Sequence, residues 1–264
     1  MRIDLTNKRA VVTGSTSGIG FAIAHGLAEA GAAVVINGRH PNTVRAAVKR
    51  LTERAPQAKI EGIAADLAKP DGVAAFVRDA SETDILVNNL GIFEPKPFDA
   101  ITDDDWQRFF ETNVMSGVRL SRHYLPSMVR RGWGRIVFIS SESGLLIPVD
   151  MTNYGVTKTA QIAVMRGLAR EFGGCGVTVN CVLPGPTRTE GISTMLSNES
   201  KKSGRSVAEL EKDFFTNARP TSLIQRLSEP EEIANMVVYA CSDRASSTTG
   251  ASLRVEGGIV TGLG

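Results

Sequence analysis

Short β-branched runs, mostly apolar throughout, alternate with longer helical patterns along this chain, and that alternation admits few folds. Arg9 to Thr13, Ala33 to Asn37, Lys59 to Ala64, Asp84 to Val87, Arg135 to Ser140 and Val177 to Val182 read as strands. A strand that is apolar on both faces belongs inside a parallel sheet covered on both sides. Between them lie helical stretches at Ile19 to Ala30, Thr43 to Arg54, Gly72 to Ala80, Asp103 to Arg130 and Asn153 to Phe172. A last helix, Glu229 to Cys241, precedes a final strand at Ser252 to Val255. The expectation is an α/β fold: a Rossmann-type, doubly wound parallel sheet of about seven strands with helices on both faces. Thr102 with Asp105, and Ser228 with Glu231, place an acceptor and a carboxylate where helix-start amides need them. No linker-like composition shift or internal repeat appears, so residues 1–264 are expected to form a single domain. One stretch breaks the rhythm. Residues 187–226 mix Met195, Leu196, Phe214 and Phe215 with many polar residues, and a long excursion of this kind suits a cover over a substrate.

Composition narrows the function by exclusion. Thirty Lys plus Arg oppose 28 Asp plus Glu, a net charge of +2 with the signs mixed along the chain. That balance gives no field for nucleic acid or a membrane. Cys175, Cys181 and Cys241 show no paired spacing, which fits a reducing compartment. Met1-Arg2-Ile3-Asp4 puts a carboxylate where an export signal needs apolar residues, and no apolar run approaches the ~20 residues of a membrane span. A cytoplasmic location is expected. His25, His40 and His123 are scattered, so no metal site is expected.

The first strand runs into Thr13-Gly14-Ser15-Thr16-Ser17-Gly18-Ile19-Gly20 and then into a helix. Glycines between a strand and a helix let the backbone approach a pyrophosphate seated on the helix's first amides. The second strand ends Ile36-Asn37-Gly38-Arg39, without the acid that accepts from the ribose of NAD. A guanidinium there suits a 2′-phosphate, so NADP(H) is the expected cofactor, with NAD(H) possible. Ser15, Thr16, Ser17 and Asn37 are further candidates to hold that phosphate, and Arg39 as a solvated loop cation is the alternative.

Farther along, the strand ending in Ser140-Ser141-Glu142-Ser143-Gly144 is followed by Tyr154-Gly155-Val156-Thr157-Lys158. Tyr154 and Lys158, at i and i+4, share one helix face. A phenol with an ordinary pKa of about 10 is a poor acid near neutrality, and a neighbouring ammonium is expected to bring it down. Taken alone this pair is a frequent surface accident; after a strand-ending serine and a dinucleotide turn it reads as catalytic.

With these residues in place the sequence resembles the short-chain dehydrogenase/reductase family over essentially its whole length. The resemblance rests on T-G-x-x-x-G-x-G at 13–20, Asp66-Leu67, Asn88-Asn89-Leu90-Gly91, Asn113, Ser141, Tyr154 with Lys158, and Pro184-Gly185. It implies that Tyr154 is the general acid or base, that Lys158 holds the nicotinamide ribose, and that Ser141 hydrogen-bonds the substrate oxygen. It implies that Asn113 positions a water for proton relay, a buried structural amide being the alternative. Gly14, Ser15, Thr16, Ser17, Gly18, Ile19, Arg39, Asp66, Leu67, Asn89, Tyr154, Lys158 and Thr187 are then the expected cofactor contacts. Leu90 departs from the usual alanine, and Glu256 in Val255-Glu256-Gly257-Gly258 replaces the commoner aspartate.

The implied activity is hydride transfer between NADP(H) and a carbonyl or alcohol of a small organic molecule. Two other readings stand beside it: reduction of 3-oxoacyl groups on acyl carrier protein, and a nicotinamide-sensing binding protein without catalysis. Retention of serine, tyrosine and lysine together opposes the last. The resemblance also implies a homotetramer. The helix holding Ile162, Ala163, Val164, Met165, Leu168 and Ala169 agrees, being more apolar than packing on one sheet requires.

Overall fold

A computed structural model describes residues 3–262. Met1 and Arg2, part of the reading at the N-terminus, lie outside the described residues. Seven parallel strands form one sheet in the order β3-β2-β1-β4-β5-β6-β7. They are β1 (Arg9–Val12), β2 (Ala33–Gly38), β3 (Ile60–Ala64), β4 (Ile85–Asn88), β5 (Gly134–Ile139), β6 (Val177–Pro184) and β7 (Ser252–Val255). Every expected strand is present, with ends within two residues of those expected.

Side-chain alternation along uniformly apolar strands builds two cores at once. In β1, Ala10 and Val12 enter one cluster while Val11 enters the other. The first face is covered by α1 (Gly18–Glu29), α2 (Pro41–Arg54) and α9 (Pro230–Ala240). The second receives α3 (Pro70–Asp79), α5 (Ser116–Arg131) and α6 (Thr152–Glu171). In α2 the buried residues are Val44, Ala47 and Leu51, the three-to-four spacing of one helical stripe. Gly117 of α5 lets its helix press onto the sheet, since a Cβ there would lie 2.8 Å from the Phe138 ring.

The long helix expected from Asp103 is helical to Arg131 but not uniform. The α4 segment (Asp103–Phe110) passes through a π-helical turn at Glu111–Met115 before α5 begins. Such turns insert one extra residue per turn and recur at functional sites, and this one carries Asn113. The capping box of Thr102 and Asp105 forms as expected. The second expected cap shifts by one residue. Glu229 caps α9 reciprocally with Glu232 because Pro230, which lacks an N–H, occupies the first helical position.

Residues 187–226 are also more regular than their sequence suggests. They contain α7 (Glu190–Ser203) and α8 (Val207–Asn217), the latter opened by a capping box of Ser206 and Glu209. Arg188 ties their base together with a bidentate pair to Glu211 and a bond to Glu229. Among the described residues no helix is long and apolar enough to cross a membrane.

Phe138 is 1% exposed in the second core and also meets Gly117. Phe138→Ala is expected to cost about 3–5 kcal/mol of unfolding free energy, measured by urea denaturation.

Candidate active site

All the candidate residues lie around the C-terminal ends of the strands. There β1 and β4 are neighbours in the sheet although their crossovers run in opposite directions, which opens a crevice. Gly14 and Gly18 bend the chain after β1 with φ of +58° and +55°, a region glycine enters without strain. A Cβ at Gly20 would sit 2.4 Å from Asn89 Nδ2 and 2.6 Å from the Gly14 carbonyl oxygen. Asn89 donates to the Thr13 and Gly14 carbonyls at 2.9 and 3.0 Å, and Thr13 Oγ1 accepts from the amides of Asn89 and Leu90 at 2.9 Å each. The turns after β1 and β4 are thereby stitched into one rim. Leu90 lays its side chain toward Gly14, where a Cβ would meet Leu90 Cδ1 at 3.4 Å. A cleft of 310 Å³ follows this rim, lined by Gly14, Ser17, Gly18, Ile19, Gly20, Asn89, Gly91 and Thr189, among others. Gly14, Gly18 and Gly20 leave backbone bare beside the first turn of α1, the surface an anionic pyrophosphate needs, so the residues present fit a dinucleotide.

The remaining expected contacts divide. Ser15 is buried, donating to the Val12 carbonyl at 2.6 Å and accepting from the Asn37 amide at 3.0 Å. The Asn37 side chain donates to the carbonyls of Ile63 and Ala65. Both side chains are therefore occupied within the protein, while Ser17 and Arg39 are exposed and Thr16 is half-buried. Asp66 accepts from the Ala68 amide and keeps part of its carboxylate accessible; Leu67 packs into the core. Thr187 is buried at the base of the 187–226 segment, donating to the Gly185 carbonyl at 2.8 Å and bridging to Ser228.

On the other side of the crevice β5 delivers Ser141, and α6 delivers Tyr154 and Lys158 one turn apart. Ser140 fastens helix to strand by donating to the Lys158 carbonyl at 2.8 Å. Lys158 is 4% exposed, and its Nζ donates to the Ile139 carbonyl at 2.9 Å while lying 5.5 Å from the centre of the Tyr154 ring. Burial pushes the ammonium down to about 8, against the upward pull of Cys181 and the Glu142 carboxylate. The phenol does not follow the expected fall. Burial raises the Tyr154 pKa well above its ordinary value and the Glu142 charge adds to the rise; the Ser141 hydroxyl and the Arg219 guanidinium oppose it. Desolvation outweighs any help from the lysine, so Tyr154 holds its proton at neutral pH.

Both Asn113 side-chain hydrogens are used within the protein. Its Nδ2 donates to the Ile92 carbonyl at 3.0 Å and to Thr157 Oγ1 at 2.9 Å, and its Oδ1 accepts from the Ile92 amide at 2.8 Å. Its own carbonyl accepts from Gln161 Nε2 at 2.6 Å. The π turn thus latches the loop after β4 to α6.

Two residues at this site were not singled out in the sequence. Glu142 is 4% exposed and accepts from Ser141 Oγ at 2.5 Å, and Arg219, from the segment after α8, donates to it at 3.0 Å. The available signal was a carboxylate set among serines at a strand end, which burial obliges to find a cation; nothing in the sequence says which cation.

Comparison with known proteins agrees with this geometry. The family model described as Enoyl-(Acyl carrier protein) reductase matches residues 14–260. The oxidoreductase YvaG of Bacillus subtilis (strain 168) is 47% identical over 260 residues, covering 98% of both chains. The 3-oxoacyl-[acyl-carrier-protein] reductase FabG of Aquifex aeolicus (strain VF5) is 33% identical, over 98% of this chain and 100% of that one. Among solved structures, L-sorbose reductase from Gluconobacter frateurii, complexed with NADPH and L-sorbose, superposes with a TM-score of 0.93 at 33% identity, covering 100% of both chains. The chain belongs to the short-chain dehydrogenase/reductase family, and is an oxidoreductase of carbonyl and CH–OH groups.

The Lys158 shift carries a linkage. A lysine whose pKa is lowered on folding is more readily protonated unfolded, so stability rises with pH between about 8 and the ordinary 10.5. The difference in unfolding free energy between wild type and Lys158→Met should therefore change by about 1–3 kcal/mol, in favour of wild type, from pH 8 to pH 10 in urea titrations.

Proposed function

We propose that this protein transfers a hydride between NADP(H) and a carbonyl or alcohol of a small organic substrate. Residues 1–264 are read as one dinucleotide-binding domain, with 187–226 covering the substrate. The observation that carries the reading is the meeting of Ser141, Tyr154 and Lys158 beside a glycine-lined crevice at the switch between β1 and β4.

When bound, a reduced nicotinamide supplies the hydride that the carbonyl carbon accepts. The protein's own task is the oxygen. As negative charge grows there, Tyr154, protonated at neutral pH, donates its proton, and Ser141 hydrogen-bonds the same atom. Lys158, buried and still largely cationic at pH 7, stabilises the phenolate left behind and holds the nicotinamide ribose. In oxidation Tyr154 runs in reverse as base. Asn113 keeps α6 and the loop after β4 in register, and its expected relay role passes through that position.

NADP(H) is favoured because β2 ends without a carboxylate and Arg39 is exposed beside it, as the likeness to an NADPH-complexed reductase also suggests. Gly14, Ser15, Thr16, Ser17, Gly18, Ile19, Asp66, Leu67, Asn89 and Thr187 are assigned to the cofactor, Leu67 through its backbone. A homotetramer is part of the proposal, supported by Ile162, Val164 and Leu168, which remain only half-buried on α6. So is a cytoplasmic location, which three free cysteines suit.

Tyr154→Phe is expected to reduce turnover at least about a hundredfold, with NADPH affinity retained, in assays of NADPH oxidation against ketoses, keto acids and 3-oxoacyl thioesters. Retained turnover would remove Tyr154 from the mechanism. Arg39→Ala should weaken NADPH binding by about 1.5–3 kcal/mol and leave NADH nearly untouched in fluorescence titrations; a wild type that prefers NADH would contradict the cofactor assignment.

A further inference from the structure

Glu142 has no part in the reaction described above, yet its surroundings are those of a built site. Its carboxylate is almost wholly buried and makes four hydrogen bonds. Oε2 accepts from Ser141 Oγ at 2.5 Å, from the Ser143 amide at 2.7 Å and from Ser143 Oγ at 2.9 Å; Oε1 accepts from Arg219 Nε at 3.0 Å. Arg219 belongs to the 187–226 segment, is itself 15% exposed, donates also to the Ala218 carbonyl and stacks over Phe214. A buried ion pair costs desolvation of both charges, and one that served only to close a loop would be matched by apolar packing. This one ends on the hydroxyl of Ser141.

We propose that Glu142, clamped by Arg219, is a positioning residue for Ser141, and that the pair makes the covering segment part of the catalytic centre. A hydroxyl carries one proton. With that proton on Glu142 and the Ser143 amide donating at 3.1 Å, Ser141 Oγ is held in place before substrate arrives, and its one proton turns from Glu142 to the substrate oxygen as charge grows there. The serine is thereby held in one rotamer beside Tyr154. Movement of the 187–226 segment that withdraws Arg219 leaves a buried carboxylate without its cation, so the covering segment and the serine are coupled through two side chains.

The pair also acts by charge. The ionisable groups around it are Tyr154 and Lys158 on α6, Arg219 after α8, and Cys181 on β6 behind Lys158. The Glu142 carboxylate raises both Tyr154 and Lys158, whereas Arg219 lowers Tyr154. Carbonyl reduction requires the proton on Tyr154 and the ammonium on Lys158, so activity is lost as pH rises through the first of these groups to titrate. That group is Lys158, pushed down to about 8.

This inference rests on the proposed reaction, and the test separates the two. The pH dependence of kcat/KM for carbonyl reduction is measured for wild type, Glu142→Gln, Arg219→Met and Arg219→Lys, with NADPH affinity measured alongside. Glu142→Gln removes the negative charge and should move the basic limb to lower pH by about half a unit or more. Arg219→Met leaves the carboxylate unneutralised and should move the limb the other way, while Arg219→Lys, which keeps the charge, should restore a profile near wild type. Both charge-removing variants should lose about tenfold or more in kcat/KM without loss of NADPH affinity, as expected for hydrogen bonds to a charged group. Should Glu142→Gln not fold, the contrast between the two Arg219 variants carries the test. An active wild type whose variants keep its limb, or move it in the same direction, overturns the positioning role and leaves the reaction standing. A wild type that reduces none of the carbonyls overturns both.

Discussion

Everything at this site depends on a topological constraint: two adjacent parallel strands, β1 and β4, whose connections leave the sheet on opposite sides. Parallel strands need crossovers, and crossovers packed on both faces require apolar residues on both sides of each strand. Meeting that requirement leaves a crevice at the C-terminal edge that no helix fills. Thr13 and Asn89 then tie the two rims together by hydrogen bonds, so the glycine turn is braced from the neighbouring strand as well as from its own helix. Ser15 and Asn37 extend the brace toward β2 and β3. The cradle is braced because Thr13, Ser15, Asn37 and Asn89 spend their side chains on backbone groups inside the protein.

The same edge receives the chemistry from β5 and α6. Lys158 is held at its two ends, by the Ile139 carbonyl at Nζ and by Ser140 at its backbone, so its charge cannot wander to solvent. Burial strong enough to lower a lysine also raises a tyrosine, and the two shifts have opposite chemical meaning. On the proposed reaction the phenol keeps its proton until charge appears on a neighbouring oxygen. The ammonium becomes a cation easily influenced by what stands near it, Glu142 included.

The fold was legible because the signal was redundant. Each of the seven strands, and each helix packed on the sheet, has its own period and its own turn chemistry, and errors stayed at the ends of elements. The glycine turn, Ser141, Tyr154 and Lys158 were legible for a similar reason: their spacing is local, and each falls at the end of a strand or on one face of a helix. What sequence reading missed is non-local or energetic. Residues 187–226 form two helices from sparse apolar residues, Phe215 being buried in α8, and only the caps at Thr189 and Ser206 announced them. The π turn at Asn113 has no periodicity to betray it. The direction of the Tyr154 shift depended on how deeply the helix would be buried, which no spacing encodes, and Glu142 needed a cation 77 residues away.

On the proposed reaction, hydride and proton reach the two atoms of one carbonyl, the proton from Tyr154. Two deuterium atoms at C4 of the reduced nicotinamide label the hydride whichever face it leaves, with the alcohol product analysed by mass spectrometry and NMR. The expected alcohol carries one deuterium, on the carbinol carbon, in a single configuration. An alcohol with no deuterium on that carbon, or cofactor oxidation without any alcohol, would contradict that reaction.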